Sequence, residues 1–191
     1  NKGLLVPESV DGQTGYRLNP NALPMLERGD RKIFGLRQQR DGGPWCLVSF
    51  SLPESQRAAR HQLRKRLAWI GCGTVSTGLW ICPAFLTDEV EETLSDLGLR
   101  NSATVFITDT PQPAGPLADA VARWWDLDAI ASLHHRFIDA FGTWGPVDDS
   151  GRAFANYVTV LDRWRVIPYL DPGLQKAVLP AEWPGFESVA L

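Results

Sequence analysis

The sequence predicts an α+β protein in three segments: a hairpin and helix at the start, a strand–helix–strand–strand–helix–strand middle, and a helical end. Three observations carry this. Apolar runs of strand length at 45–50 and 103–109 bracket two helical patterns. Asp11-Gly12 separates two strand-like runs near the start, the pairing favoured in tight hairpin loops. After "TPQPAGP" (110–116), a Pro- and Gly-rich linker, only helical periodicity remains. With 191 residues, 44% of them hydrophobic and 10% aromatic, the chain has enough material for a core and the composition of a globular protein.

The first segment reads "GLLVPESV", "DGQTG" and "YRLN" as strand, tight turn and strand. "NALPMLERGDRKIF" follows as a helix with Leu23, Leu26 and Ile33 on its apolar side. A lone hairpin is marginal in water, so it needs a surface on this chain or upstream of it. A hairpin followed by a helix is how a winged helix-turn-helix domain ends; a decorative hairpin is the plainer alternative. Charge points the same way. Residues 1–40 hold seven Lys or Arg against four acids (+3), and the remainder 12 against 18 (−6), which together give the net −3. A weakly basic start on an acidic body fits a DNA-reading appendage.

In the middle, "WCLVSF" (45–50) is nearly all apolar, as expected of a strand covered on more than one side. Pro53-Glu54 opens a helix, with proline early and an acid in the first turn. Ala59, Leu63, Leu67 and Ile70 form its buried stripe, and Gly71 stops it. "GTVSTGLWICP" gives two short strands around Ser76-Thr77-Gly78. Thr87 is expected to cap a second helix whose first turns carry Asp88, Glu89, Glu91 and Glu92; Gly98 ends it. "ATVFITD" closes as a fourth strand. This order is the ferredoxin-like βαββαβ arrangement, a fold that says little about function by itself.

The first of these helices packs five positive charges between Arg57 and Arg66. Arg57, Arg60 and Arg64 share a face beside the buried stripe, whereas Lys65 and Arg66 point elsewhere. A solvated face pairing with acids elsewhere is the simpler reading; binding of an anionic partner or phosphate-bearing ligand is the other. No aromatics or Gly-rich loops interleave with the charges, so this helix is not expected to be the DNA-binding element.

The end of the chain reads as a small helical unit. Asp126 caps a helix with Leu127, Ile130, Leu133, Phe137 and Phe141 on one stripe, and Gly142 ends it. "DDSGRAFANYVTVLDRWRVIPYL" repeats the pattern with Phe154, Tyr157, Leu161 and Trp164. "DPGLQKAVLPAEWPGFES" adds turns and one short helix.

Several classes are disfavoured. No apolar run approaches membrane length and no signal peptide is visible. Cys46, Cys72 and Cys82 are scattered in apolar surroundings without metal spacing, which reads as buried, reduced thiols in a cytoplasmic protein. No Cys/His metal pattern, Gly-rich phosphate loop or Ser/His/Asp arrangement is evident.

"WCLVSFSLPESQRAARHQLRKRLAWIGCGTVSTGLWICP" resembles the core motif of the PaaX family of bacterial transcriptional repressors. The landmarks are a strand opening with Trp, a Pro-Glu helix start, arginines along the helix, a Gly-x-Gly turn and Gly-x-Trp-Ile-x-Pro. "WWDL", "VLDRWR", "DPGL", "LP" and "EWPG" extend the resemblance over essentially the whole chain. It implies the end of a winged helix (1–40), a ferredoxin-like dimerisation domain (41–112) and a helical C-terminal domain (113–191). The earlier helices of the winged domain are then expected before Asn1, with the chain truncated at its N-terminus. Cys72, where Phe is common, and Gln175, where Pro is common, are packing departures; they leave open a different effector.

The family's best-known type represses phenylacetate catabolism genes and releases DNA on binding phenylacetyl-CoA. The resemblance therefore implies a repressor, not an enzyme, with operator DNA, an acyl-CoA effector and a second copy of itself as partners, and no cofactor. Lys2, Gln13, Tyr16 and Arg17 are the DNA-contact candidates, the last three on the wing. Arg60, Arg64, Trp80, His134, Arg163 and Trp164 are the effector candidates, arginines for phosphates and aromatics for the acyl group. Each has a plainer alternative: core packing for Trp80 and Trp164, a surface position for His134 beside His135, a salt bridge for Arg163. Two other functions remain. One is a dimerisation or effector-sensing module without DNA binding. The other is a metal-dependent ribonuclease resembling CRISPR-associated endoribonucleases, which hold metal with an aspartate near the end of the first strand. Ser51 occupies that stretch here, and a hydroxyl does not replace a carboxylate on Mg²⁺.

Overall fold

A computed structural model describes residues 3–10, 12–35 and 37–191, with residues 10, 24 and 28 described by their backbone alone. The chain is α+β and divides into two units, residues 1–36 and 37–191.

In the first unit, β1 (Leu5–Val10) and β2 (Gln13–Leu18) pair antiparallel, with Leu5 opposite Leu18 and Val10 opposite Gln13. A two-residue loop joins them, and Gly12 takes the left-handed backbone (φ 77°) that such loops require. Asp11 of the hairpin signal lies outside the described residues. Asn19 then turns the chain: its side chain donates to the Gly3 carbonyl at 2.7 Å and accepts from the Asn21 amide at 3.0 Å. A short 3-10 turn (Pro20–Ala22) leads into α1 (Leu23–Phe34). The expected apolar side of α1 is not buried: Leu23 and Leu26 are exposed and Ile33 is half-buried. Among the described residues of this unit, Ala22 alone is buried. The strands and helix form as expected, yet among its described residues the segment has no core of its own.

The second unit is built on β3 (Trp45–Phe50), α2 (Arg57–Trp69), β4 (Gly73–Ser76), β5 (Leu79–Pro83), α3 (Thr87–Asp96) and β6 (Ala103–Thr108). The strands form one antiparallel sheet in the order β4-β5-β3-β6. Strand side chains alternate between faces, so β3 feeds two cores. Cys46, Val48 and Phe50 pack with Trp80 and Cys82 under Leu63 and Leu67 of α2 and Val90 and Leu94 of α3. Trp45 and Ile81 face the opposite way, onto the C-terminal region. This explains why "WCLVSF" lacks polar alternation.

The glycine after α2 closes it with paired bonds: the Gly71 amide reaches the Ala68 carbonyl at 3.1 Å and the Cys72 amide the Leu67 carbonyl at 3.0 Å. Gly71 takes φ 93° to do so. Thr87 differs from expectation. A 3-10 turn (Ala84–Leu86) already leads into α3, so Thr87 is its first residue, and its hydroxyl donates backwards to the Ala84 carbonyl at 2.6 Å.

The C-terminal region comprises α4 (Leu117–Trp124), α5 (Leu127–Phe141), α6 (Ser150–Trp164), α7 (Ile167–Leu170) and α8 (Gly185–Ala190). Asp126 caps α5 through the Ala129 amide (2.9 Å), and Asp149 caps α6 through the Arg152 amide (2.7 Å). Val121, Trp125, Leu127, Ile130, Leu174, Val178 and Trp183 cover the second face of the sheet. Phe137, Phe141 and Ile167 form a separate small core with Trp164 against it. The stripe expected on α6 divides. Leu161 and Trp164 are half-buried, Trp164 against the small core, while Phe154 and Tyr157 are exposed.

Candidate functional site

The first candidate surface is β2. Gln13, Tyr16 and Arg17 are all exposed, Tyr16 at 72%. Arg17 Nε lies 3.2 Å from Glu8 Oε1 across the hairpin, which fixes the guanidinium while leaving most of its donors to solvent. Lys2 lies outside the described residues.

The second is the basic face of α2. Arg57, Arg60, His61 and Arg64, with Glu54 at one end, line a groove of about 480 Å³. Arg60 Nη2 sits 2.5 Å from Glu54 Oε2, and Arg64 Nη2 donates to the Thr77 carbonyl at 2.8 Å. A smaller hollow of about 220 Å³ adjoins it, lined by Phe50, Ser51, Leu52, Thr77 and Gly78 as well as Arg60 and Arg64. Lys65 and Arg66 are not part of this face, and Arg66 instead pairs with Asp96 at 3.1 Å. The face thus carries one ion pair to a local acid and, beside it, a concentrated cationic surface.

The third is the groove between α5 and α6, about 840 Å³. Its floor is apolar and aromatic. Phe141 lies 5.0 Å from Phe137 and 4.9 Å from Trp144, and Trp164 backs Phe137 at 5.3 Å. Trp144 is 46% exposed. Arg136, Arg163 and Arg165 stand on the rim with Asp139 and Asp162. Arg165 pairs with Asp162 at 2.9 Å, and no ion pair occupies Arg136 or Arg163 among the described residues. Trp144 is its exposed aromatic, while Phe137 and Phe141 are buried beneath it.

The six effector candidates therefore do not converge. Arg60 and Arg64 share the α2 groove, and Arg163 lines the α5–α6 groove while Trp164 packs behind its floor against Phe137. Trp80 is 6% exposed in the core beneath α2, and its Nε1 has no hydrogen-bond partner among the described residues. His134 is fully buried with both ring nitrogens engaged. Nε2 faces Asp171 Oδ2 at 2.8 Å and Nδ1 lies 2.6 Å from Ser188 Oγ. A carboxylate only accepts, so Nε2 carries hydrogen.

This Ser188–His134–Asp171 arrangement was invisible in the sequence, because its members lie on α8, on α5 and after α7. Asp171 also accepts from the Gly173 amide at 2.8 Å, and Ser188 Oγ donates to the Gly185 carbonyl at 3.1 Å. All three are buried, and the network ties α8 and the 171–177 segment onto α5. That segment in turn holds the loop before β3. The Gln39 amide donates to the Gly173 carbonyl (2.8 Å) and the Gly42 amide to Gln175 Oε1 (2.7 Å). Gln39 Nε2 then reaches the Gly43 and Pro44 carbonyls at 3.0 Å. Among the described residues, no group of three His, Cys, Asp or Glu is placed to hold a metal, and no helix is long and apolar enough to cross a membrane.

Two family models match these two halves of the second unit: the PaaX protein central Cas2-like domain over residues 38–120, and the PaaX-like protein C-terminal domain over residues 125–191. The chain belongs to the PaaX family. The transcriptional repressor PaaX of Escherichia coli (strain K12) is 25% identical over 194 residues, an alignment covering 96% of this chain and 60% of that protein. The chain thus spans about 60% of the length of its curated relative. A solved structure, the uncharacterized protein Rv0674 from Mycobacterium tuberculosis, superposes with a TM-score of 0.61 at 24% identity, covering 98% of this chain and 71% of that one. That likeness concerns the fold. The PaaX landmarks meet physically at one seam: the Gly71-x-Gly73 turn, Trp125 of "WWDL" and Pro172 of "DPGL" pack on one another.

Proposed function

We propose that this PaaX-family chain serves a DNA-binding transcriptional regulator, a repressor of an aromatic-acid catabolic operon of the phenylacetate type, released by an acyl-CoA such as phenylacetyl-CoA. The observation that carries the reading is the match of the two family models to residues 38–120 and 125–191, together with a relative described as a repressor.

In this reading the β1–β2 hairpin is the wing of a winged helix. Gln13, Tyr16 and Arg17 contact a phosphate or the minor groove. The ferredoxin-like βαββαβ body dimerises the protein, so that two heads meet two half-sites of a symmetric operator. The effector occupies the α5–α6 groove, where both chemistries it needs lie together: Phe141 and Trp144 for the acyl group, and Arg136 and Arg163 for phosphates. Trp164 supports that floor from behind. His134 and Trp80 act through packing, since neither is exposed. An effector of this kind acts by binding the DNA-incompetent conformation better than the competent one.

Fluorescence anisotropy of duplexes from the gene's own promoter, with the full gene product and a panel of acyl-CoAs, tests this. The expected result is sequence-dependent binding reversed by one acyl-CoA, with Arg163→Gln binding DNA normally but resisting release. Effector binding without any DNA binding would leave a sensing and dimerisation module instead. Metal-dependent RNA cleavage would overturn the repressor reading.

A further inference from the structure

The 15 residues of α6 include five large apolar or aromatic side chains besides Trp164, yet no residue of this helix is fully buried. Val160 and Trp164 pack in part against the small core of Phe137, Phe141 and Ile167. Thr159, Asp162 and Arg163 line the groove shared with α5. A third face remains. Residues three, four and seven apart lie together on a helix, so Phe154, Tyr157, Val158 and Leu161 form one stripe. Phe154 is 68% exposed, Tyr157 57% and Val158 47%, with Leu161 half-buried. Phe154 and Arg163 are about two and a half helical turns apart, which sets the stripe on the side away from the groove. A helix that is apolar on two sides covers a core with one and a partner with the other.

The charges at the two ends of α6 say what that partner is. Asp148 and the capping Asp149 precede the helix and Arg152 stands in its first turn, a balance of −1. Arg163 and Arg165 close it beside Asp162, a balance of +1. Asp148, Asp149, Arg163 and Arg165 are all exposed. A two-fold axis passing between Tyr157 and Val158 lays one α6 antiparallel on another and satisfies the apolar stripe and the charged ends together. Phe154 then meets Leu161 of the copy, Tyr157 meets Val158, and the arginine end of each helix meets the aspartate end of the other. A parallel pairing would set like charge on like.

We propose that the Phe154–Tyr157–Val158–Leu161 face of α6 is a self-association surface, occupied by the same face of a second copy in antiparallel register. It is separate from the dimerisation assigned to the ferredoxin-like body and does not depend on it; where both operate, dimers link to one another. One helix pair buries less than the roughly 800 Å² per partner of a standard interface, so the contact is weak by itself and forms at high local concentration.

Crosslinking through an introduced cysteine tests it. Cys46, Cys72 and Cys82 are all buried, so a short bis-maleimide reaches the new thiol alone in the folded chain. Val158→Cys, beside the axis, is expected to give covalent dimers at about 100 μM protein, a concentration that fills a weak contact. Thr159→Cys, which faces the α5–α6 groove, is expected to stay monomeric on a denaturing gel. Adding Arg165→Glu to Val158→Cys should slow the linking several-fold, and adding Asp148→Arg as well should restore it, since the two exchanged charges meet only between antiparallel copies. The proposal is overturned if Val158→Cys links no faster than Thr159→Cys. It is equally overturned if the restoring exchange has no effect, which would mean apolar adhesion without register. Sedimentation velocity at about 1 μM, where a weak contact is open, reads the dimer of the ferredoxin-like body by itself, so failure of one assignment is seen apart from failure of the other. Circular dichroism of each variant separates lost association from lost folding.

Discussion

The indole Nε1 of Trp125 donates to the backbone carbonyl of Gly71 at 2.9 Å, across 54 residues of sequence. The same ring lies against Gly73 so closely that a Cβ there would sit 2.6 Å from two of its atoms. One tryptophan thereby fixes both glycines of the "GCG" turn, joining the end of α2 to the start of the helical region. A Cβ on Gly71 would in turn lie 3.2 Å from Pro172, so that turn is also where the 171–177 segment docks.

Gly73→Ala is expected to destabilise the protein by about 1–3 kcal/mol, the range for overpacking a filled site. Trp125→Phe is expected to cost about 1 kcal/mol for the lost hydrogen bond, plus the smaller ring's lost contacts. Urea denaturation measures both. Because the two residues touch, the double variant should cost less than the sum, a non-additivity that distant sites do not show.

Gly173→Ala is expected to be worse. Its backbone is left-handed (φ 64°), and a Cβ would fall 1.9 Å from the Arg37 carbonyl oxygen. Nothing flexible is available to move. The expected outcome is loss of the contact between residues 37–44 and 171–177, read as fast amide exchange at Gln39 and Gly42.

Asp171→Ala and His134→Ala each remove one partner of a buried polar pair. Removing one partner leaves the other buried and unsatisfied, at a cost of about 1–3 kcal/mol. A double-mutant cycle in urea should return a coupling energy of at least about 1 kcal/mol. Full activity in DNA release at permissive temperature would agree with a role in packing alone.

Cys46 and Cys82 face each other in register on β3 and β5, both fully buried. The hydrogen bond with Cys82, and then burial, hold the Cys46 thiol far above its ordinary range. The native state therefore keeps this proton while the unfolded chain releases it above about pH 8.5. Unfolded chains then bind fewer protons, so stability falls as pH rises beyond that point. The expected result is a steeper loss of stability between pH 8 and pH 10 in the wild type than in Cys46→Ala. Alkylation of Cys46 should require unfolding.

Much of the second unit was legible in the sequence because its signals are local. The stripe of Leu63 and Leu67, the stop at Gly71, the Asp126 cap and the strand at 45–50 each depend on residues close by. Thr87 was misread as a cap because a 3-10 turn before it already satisfied the helix start, and local spacing does not distinguish the two. Phe154 and Tyr157 fit a helical stripe but lie outside, since periodicity says that a face is apolar without saying what covers it. The site was less legible. The arginine face of α2 follows from spacing alone, as does the presence of Arg163 on a helix beside aromatics. His134 did not: its partners stand 37 and 54 residues away, on elements that only the tertiary fold brings together. The coverage of the sheet's second face by the C-terminal helices was equally non-local, and it turns "GCG", "WWDL" and "DPGL" from separate motifs into one packed seam.

The central claim, that this is an effector-responsive regulator, is tested most directly by anisotropy of promoter duplexes with the full gene product, titrated with acyl-CoAs. The expected result is specific binding that one acyl-CoA reverses, with Arg17→Gln weakening all duplexes alike and lowering the salt dependence by about one charge. Binding equal for promoter and random duplexes, and unchanged by every acyl-CoA, would contradict it.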